Sequence, residues 1–325
     1  MQNRKYELIK AILAIAVTIL IFIILFNKIN FLEVKVALVS INIKLFILAS
    51  FISIFVNLFL GADKWRRILK NLGYFISYKE ALFIMVTSNP IKFILPFKSG
   101  EITKALYLNR LKSFKFEKAF SSIMFDKFLN LLGTVILLAI GTFFFRINLS
   151  LRIFVYLFII ISIAAVLDFK HLRLYILNWI RKINLKIYNS IRQLISTIEE
   201  IKLKKKIGLG IYSIFFQTSE LLNAYILFKA FDIDIPISAI FLFIPLVILI
   251  GNIPITISGL GTREAAVVVL LLNYSSSAKL LSFALILSFV EYILPALVGL
   301  IFLKDFVGRL LNKIPLTSGN LMEHS

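Results

Sequence analysis

The chain of 325 residues is 60% hydrophobic, has a mean hydropathy of +0.93 and carries a formal net charge of +20. A soluble domain of this length does not need so much apolar sequence to fill its core, so the composition predicts a polytopic membrane protein. There is no cysteine, which excludes disulfides, thiolate chemistry and Cys-ligated metals. The two histidines do not suggest a metal site, and no cofactor is predicted.

Seven apolar stretches are candidates for membrane spans, which need about 20 mostly apolar residues. We therefore predict an all-α fold, a polytopic integral membrane helical bundle of six to eight spans with two re-entrant or broken-helix segments. The whole chain, 1–325, is predicted to form a single membrane domain. In chain order the spans are Leu8–Phe26, Lys44–Leu60, Ala119–Phe145, Arg152–Leu167, Ile207–Ala230, Ile237–Ile253 and Leu280–Leu303.

The positive charges collect between the spans, on one side of the membrane, so we do not expect nucleic-acid binding. Bases follow the second span and fill the segment 168–206, and the positive-inside rule assigns both to the cytoplasm. The loop with Asp232 and Asp234 then lies outside, and the amino terminus and the tail 304–325 lie inside, at the cell membrane. The loop 27–43 carries two lysines and weakens this asymmetry without reversing it. The bases after the second span are Lys64, Arg66, Arg67, Lys70 and Lys79.

The segment 168–206 also has apolar residues at helical spacing with bases between them, for example Ile176, Ile180, Ile183 and Ile187. This pattern predicts a basic amphipathic helix along the cytoplasmic leaflet. Anionic inner-leaflet lipids would stabilise it by about 1 kcal/mol per nearby base. Anchoring is the favoured role, with regulation or gathering of substrate as the alternative.

The first half, 1–167, is interrupted between residues 80 and 111 by Asn89-Pro90 and Pro96. The apolar run is too short to cross twice, which favours a re-entrant hairpin. Ser99 can cap a second helix whose N-terminus offers free N–H groups to an anion. Alternatively, Glu101 is only a first-turn carboxylate paired with a lysine three residues on. The substrate-binding candidates here are Lys98, Gly100, Glu101 and Lys104.

The second half, 207–303, is interrupted in a similar way between residues 251 and 272, where Pro254 breaks the helix and Thr262 is a plausible cap. Glycines would let the backbone approach a polar ligand, and an arginine can bind phosphate or carboxylate with two hydrogen bonds. The correspondence between the halves suggests an inverted repeat whose broken helices meet near the midplane. The candidates here are Gly259, Gly261, Arg263 and Glu264.

Ionisable residues also occur inside intact spans, where each would cost about 3 kcal/mol if it faced lipid. Asp126 aligns with Ser122 and Asn130 on one helical face, and Glu220 and Glu291 lie on similar polar faces of later spans. These side chains should face inward, as a substrate or proton pathway or as structural ion pairs. Lys127 and Arg263 are candidate partners for the three carboxylates.

The chain resembles the flippase-like transmembrane domain of the lysylphosphatidylglycerol synthases, as a stand-alone member. The resemblance rests on Trp65-Arg66, on an LP-x-x-x-GE pattern ending at Glu101, and on a P-x-x-x-x-GLG-x-RE pattern ending at Glu264. Asp126, Lys127 and Asn130 stand where the family often has an ER-x-x-D-like signature. The resemblance implies lipid handling rather than lysyl transfer, because about twenty residues after the last span leave no room for the soluble synthase domain.

The leading functional hypothesis is translocation of an anionic or aminoacylated phospholipid, or of a lipid-linked headgroup. In this hypothesis Lys104 and Arg263 contact the headgroup, and Glu101 and Glu264 position these bases or recognise an amine. The absence of a GxxxxGK[ST] motif argues against ATP hydrolysis. The alternatives are an integral-membrane lipid transferase and a noncatalytic partner of a lipid-modifying enzyme. A homo-oligomer or a complex with a separate synthase is compatible with each hypothesis.

Overall fold

The computed structural model describes residues 2–94, 100–145, 149–166, 177–178, 181–182, 184–253 and 255–311. These ranges contain helices and no strand, so the all-α prediction is confirmed. The first eight helices are α1 (Gln2–Lys28), α2 (Phe31–Val39), α3 (Ile43–Ile54), α4 (Gly61–Asn71), α5 (Tyr78–Ile94), α6 (Ile102–Lys112), α7 (Phe116–Phe144) and α8 (Leu149–Val166). The others are α9 (Leu185–Glu199), α10 (Leu203–Ala230), α11 (Ile237–Asn252), α12 (Thr262–Leu271), α13 (Ser277–Ser288), α14 (Leu294–Leu300) and α15 (Leu303–Leu311).

Each of the seven predicted spans falls on helix over nearly all of its described length, and the non-helical residues within them are Phe145, Ile253, Ile301 and Phe302. Among the described residues, three continuous helices are long and apolar enough to cross a membrane: Ile43–Asn71, Phe116–Phe144 and Ser277–Leu300. A fourth is added if α1 and α2 count as one span, although they are bent by 92°. The predicted loop 27–43 thus contains a helix. Asn30 lies at the bend, and its side chain caps α2 by accepting a hydrogen bond from the Leu32 N–H at 2.9 Å.

The first interruption forms a hairpin of α5 and α6, which we call the first hairpin (residues 78–112). Its open end is held by an ion pair of 3.1 Å between Lys112 Nζ and Glu80 Oε1. At its closed end the helices nearly touch, because a Cβ on Gly100 would lie 2.3 Å from the backbone of Lys92. Both ends of the hairpin therefore lie on one side of the bundle, the side on which α4 ends.

The second hairpin consists of α11 and α12 (residues 237–271) and opens toward the opposite side. The end of α10 meets the start of α3 there, where the Asn42 N–H donates to the Ala230 carbonyl at 2.9 Å. Lys279 Nζ, just after the second hairpin, donates to the carbonyl of Asp232, just before it, at 3.4 Å. Because α3 and α4 run from this side to the α4 end, the two hairpins enter the bundle from opposite sides.

The closed ends of the hairpins meet inside the bundle. The Ser258 hydroxyl, in a short 3₁₀ turn between α11 and α12, donates to the Phe93 carbonyl near the end of α5 at 3.0 Å. The neighbouring Ile257 N–H donates to the hydroxyl of Thr18, midway along α1, at 3.1 Å. Opposed hairpins that meet at mid-height are the geometry an inverted repeat requires, while the repeat itself stays a prediction.

Small residues allow the helices around the hairpins to approach closely. A Cβ on Gly141 of α7 would lie 2.5 Å from backbone atoms of Phe241 and Leu242 in α11. A Cβ on Gly299 of α14 would lie 2.3 Å from the Val86 carbonyl oxygen in α5. That carbonyl lacks its usual intrahelical donor because residue 90, four positions on, is proline.

The basic segment 168–206 is described in part, and residues 167–176, 179–180 and 183 lie outside the described ranges. Its main described helix, α9, packs against α7, where Ile198 and Ile201 join a cluster with Phe125 and Leu129. An ion pair of 2.8 Å between Lys118 and Glu200 supports the same contact. Contact of this segment with anionic lipid stays a prediction.

Candidate substrate cavity

A cavity of about 360 Å³ lies between the two hairpins, α4, α7, α10 and the span containing α13 and α14. Eight lysine, aspartate and glutamate side chains line it: Lys64, Lys92, Lys104, Lys127, Glu101, Asp126, Glu220 and Glu291. Their formal charges sum to zero. The structure therefore brings together, from separate parts of the chain, groups that would each be costly to expose to lipid.

Glu101 is the centre of a basic cluster, which we define as Lys92, Lys104 and Lys127 around this carboxylate. The Glu101 oxygens lie 2.7 Å from Lys104 Nζ, 2.8 Å from Lys127 Nζ and 3.9 Å from Lys92 Nζ. Lys104 is buried, whereas the Lys127 side chain is 41% exposed. With three ammonium groups around one carboxylate, the cluster has a surplus of two positive charges that an anion can share.

Asp126 pairs with Lys64, whose Nζ lies 2.9 Å from Asp126 Oδ1. The prediction that Lys64 lies beyond the end of the second span is wrong: this residue is 1% exposed and also donates to Asn130. The reason is that the helix does not end at Leu60 but continues to Asn71. Lys64 therefore remains within the bundle, where the carboxylate on α7 stabilises its charge.

The other two carboxylates, Glu220 and Glu291, form an acidic wall with two amides. Glu291 accepts hydrogen bonds from Asn57 Nδ2, at 2.8 Å, and from Asn223 Nδ2. Asn57 and Glu291 each lie in a π-helical segment, Phe55–Leu60 and Phe289–Ile293 respectively, where the helix has a wider turn. Such segments are frequent at functional sites. Here, two of them place a hydrogen-bonded pair against the cavity.

The start of α12 is organised differently from the prediction. Its cap is Gly261 rather than Thr262, and the Gly261 N–H donates to Glu264 Oε2 at 2.5 Å. Gly261 has φ of 85°, a conformation that favours glycine. Glu264 also accepts from the Ser288 hydroxyl. Glu264 is therefore a buried capping carboxylate that joins α12 to α13.

Arg263 is packed behind the cavity. Its guanidinium carbon lies 3.9 Å from the centroid of the Tyr292 ring, and its nitrogens donate to Ser288 Oγ at 3.0 Å and the Ser258 carbonyl at 3.1 Å. Tyr292 itself lines the cavity. Arg263 thus supports the cavity wall, and its role as a contact for a headgroup stays a prediction.

Among the predicted site residues, the cavity is lined by Glu101, Lys104, Asp126, Lys127, Glu220 and Glu291. Gly100, Gly259, Gly261, Arg263 and Glu264 are described but do not belong to the lining. Gly100 and Gly259 serve close packing, since a Cβ on either would lie 2.3 Å from backbone atoms. Pro96, Lys98, Ser99 and Pro254 lie outside the described residues.

Sequence reasoning missed Asn57, Lys64, Lys92 and Asn223 as site residues. A signal was present, because Asn57 and Lys64 are seven residues apart and Lys92 follows Asn89 by three, which is helical spacing on a common face. Reading the second span as ending at Leu60 concealed the first pair.

Comparison with known proteins agrees with this architecture. The chain is 23% identical to a UPF0104 membrane protein of Methanocaldococcus jannaschii over an alignment 339 positions long, which covers 91% of this chain and 95% of the relative. Residues 11–299 match the family model described as the lysylphosphatidylglycerol synthase TM region. This match includes both hairpins and every charged residue that lines the cavity. The chain therefore belongs to the family of the lysylphosphatidylglycerol synthase transmembrane region.

Proposed function

We propose that the protein moves a lipid between the leaflets of its membrane by holding the lipid headgroup in the cavity. The observation that carries this proposal is the charged cavity between two hairpins that enter an apolar bundle from opposite sides. Both hairpins contribute residues to the lining of the cavity. Movement of one hairpin relative to the other would open the cavity to one leaflet at a time.

The size of the cavity supports a headgroup as the bound part. Sites for small molecules have volumes of about 300–1,000 Å³, and this cavity of about 360 Å³ is at the lower end of that range. A glycerophosphate headgroup fits such a volume, whereas two acyl chains do not. The acyl chains would remain in the hydrocarbon beside the helices while the headgroup passes through the protein.

The basic cluster supports a phosphate-bearing headgroup. Its surplus charge of two can be shared with a phosphodiester, and ammonium donors bind phosphate oxygens with strong, charge-assisted hydrogen bonds. Lys127 is the most exposed of the four lysines in the lining and can turn from Glu101 toward a ligand. Phosphatidylglycerol and its aminoacylated forms are the first substrates to test, and the family's name points to the same lipids.

The test is leaflet exchange of fluorescent phosphatidylglycerol and lysyl-phosphatidylglycerol in proteoliposomes, measured by chemical quenching of the outer leaflet. We expect exchange above that of protein-free vesicles. Loss of one charge-assisted hydrogen bond costs about 1.5–3 kcal/mol, so Lys127→Met should slow exchange roughly 10- to 100-fold. Lys118→Met, on the same helix but paired with Glu200 away from the cavity, is the matched control and should exchange lipid like the wild type.

Exchange at the protein-free rate by folded wild-type protein would refute the proposal. Equal exchange by Lys127→Met and Lys118→Met would show that the basic cluster does not hold the headgroup. A chemically altered lipid in vesicles without exchange would favour the transferase hypothesis instead.

A further inference from the structure

The acidic wall is the part of the cavity that binding of a phosphate leaves unexplained. Glu101 and Asp126 each have a lysine within 2.9 Å. Glu220 and Glu291, by contrast, have no ion pair with a base among the described residues. The wall thus contains two carboxylates without a dedicated countercharge.

The charged groups around these carboxylates are already engaged elsewhere. Those that interact with Glu220 or Glu291 are Lys64, Lys127 and Arg263, besides each other. Lys64 is paired with Asp126 and Lys127 with Glu101. Arg263 is held against the Tyr292 ring and hydrogen-bonded to Ser288. A positive charge at the acidic wall must therefore come from outside this set.

An unpartnered oxygen beside Glu291 indicates what kind of ligand fits. Asn223 is 1% exposed, and its Nδ2 donates to Glu291 while its Oδ1 is buried without a hydrogen-bond donor. The buried hydroxyl oxygen of Ser53 accepts from Asn57 at 3.2 Å in the same cluster. Carboxylate, amide and hydroxyl oxygens together are ligands for a hard cation, and a buried acceptor with no donor is costly when left empty.

We propose that the acidic wall, formed by Glu220 and Glu291 with Asn57 and Asn223, binds one monovalent cation from solution, a sodium ion or a proton. This inference rests on the proposed function in one respect: the cation would cross the membrane together with the lipid. A lipid ammonium group is larger than either ion. The inner part of the wall is too enclosed for it, since Asn223 does not line the cavity and Ser53 is 1% exposed.

The number of carboxylates argues against a calcium ion. Calcium takes six to eight oxygen ligands, commonly from several carboxylates. The described residues contain no group of three or more His, Cys, Asp or Glu side chains that could hold a metal ion. Two carboxylates supported by neutral oxygens are fewer charged ligands than a calcium site commonly has.

Charge balance gives the cation a role in transport. The eight lysine, aspartate and glutamate residues of the lining sum to zero in their usual charge states. A bound phosphodiester would add one negative charge to a cavity surrounded by hydrocarbon, where net charge is expensive. One monovalent cation at the acidic wall restores neutrality. A cavity that holds the lipid alone or the cation alone carries a net charge, whereas a cavity that holds both is neutral. The lipid and the cation are therefore expected to cross the membrane together.

Cation binding can be measured without transport, by thermal unfolding of the full chain in a neutral detergent at constant ionic strength. Replacing choline chloride by sodium chloride should raise the unfolding temperature by about 4 °C at a hundredfold excess over Kd. If the cation is a proton, lowering the pH from 8 to 6 in choline chloride should raise the unfolding temperature instead, since a proton held at the wall stabilises only the folded state. Either shift should be lost in Glu291→Gln and kept in Glu117→Gln, a variant of an exposed carboxylate on α7.

If Glu291→Gln does not fold, Glu220→Gln is the second variant, with the same expected loss. Equal shifts in wild type and a folded wall variant would overturn the proposal, as would no shift with sodium or pH in the wild type. Stabilisation by lysyl-phosphatidylglycerol alone would also overturn it, because the wall would then recognise an amine of the headgroup.

The lipid-exchange assay separates this inference from the proposed function. With a sodium or pH gradient across proteoliposomes, coupled transport should accumulate fluorescent lipid in one leaflet, and reversing the gradient should reverse the leaflet. Lipid exchange that does not respond to a sodium or pH gradient, together with no cation-dependent stabilisation, would overturn the cation site. Lipid translocation would still be supported by that result. Cation-dependent stabilisation without any exchange would overturn lipid translocation and leave the cation site standing.

Discussion

Lys64→Met removes one partner of the buried ion pair with Asp126 and tests whether that pair stabilises the bundle. In the structure Lys64 is 1% exposed, lies 2.9 Å from Asp126 and 4.7 Å from the centroid of the Phe216 ring. Methionine keeps most of the apolar contacts of the lysine stem but leaves Asp126 without a cation. We therefore expect a less stable protein.

The magnitude follows from the burial of the pair. Removing one partner of a buried ion pair costs about 3–5 kcal/mol, because the other charge is left uncompensated. The Asp126 side chain is 11% exposed and lines the cavity, so the lower value, about 3 kcal/mol, applies. With an unfolding entropy of about 2 cal/mol/K per residue over this chain, that loss lowers the unfolding temperature by about 4 °C.

The assay is thermal unfolding of the detergent-purified protein, followed by intrinsic fluorescence and by recovery of monodisperse protein. The double variant Lys64→Met/Asp126→Leu is the matched comparison. It removes both charges and should recover most of the lost stability, since apolar replacement of a buried pair is often neutral. The reasoning would be refuted if Lys64→Met were as stable as the wild type, or if the double variant were less stable than Lys64→Met.

Three further changes test the packing around the cavity by thermal unfolding. Gly141→Ala should lower the free energy of unfolding by about 1–3 kcal/mol, because the added Cβ would lie 2.5 Å from backbone atoms of α11. Gly208→Ala is the control, since a Cβ there meets open space, and it should be neutral or stabilising. Equal effects of the two substitutions would contradict the close packing at Gly141. Gly261→Ala should cost about 1–2 kcal/mol, since φ is 85° there, and an unchanged stability would refute the cap. Arg263→Lys should also destabilise, because an ammonium cannot both stack on Tyr292 and keep two hydrogen bonds; wild-type stability would refute this arrangement.

The spans could be predicted because a helix that crosses the hydrocarbon must be long and apolar, and such stretches can be recognised from amino-acid composition. The ends of the spans could not, since helix geometry inside a protein depends on neighbours. Lys64 shows the difficulty: a lysine after an apolar run indicates the membrane surface by charge alone. The buried Lys64 is stabilised by Asp126, which is 62 residues later in the sequence and lies on another helix.

The two broken segments were recognised because proline and glycine next to charges are unusual among apolar residues. Their residues have different roles that the pattern could not separate. Glu101 faces the cavity and gathers three lysines, whereas Glu264, at the corresponding place, closes a cap. Which carboxylate meets a ligand depends on the direction of the helix start, and this is set by packing against Ser288 and the span that follows.

Several polar groups of the cavity lie where the helices depart from regular hydrogen bonding. Pro90 frees the Val86 carbonyl, which faces Gly299, and the Phe93 carbonyl accepts from Ser258 across the hairpin tips. The π segments add two more irregular turns, around Asn57 and Glu291. In hydrocarbon such backbone defects survive only when other protein groups or a water-filled space satisfy them. A polar cavity and irregular helices therefore require each other, and the irregular turns around Asn57 and Glu291 lie against the cavity that we propose holds the headgroup.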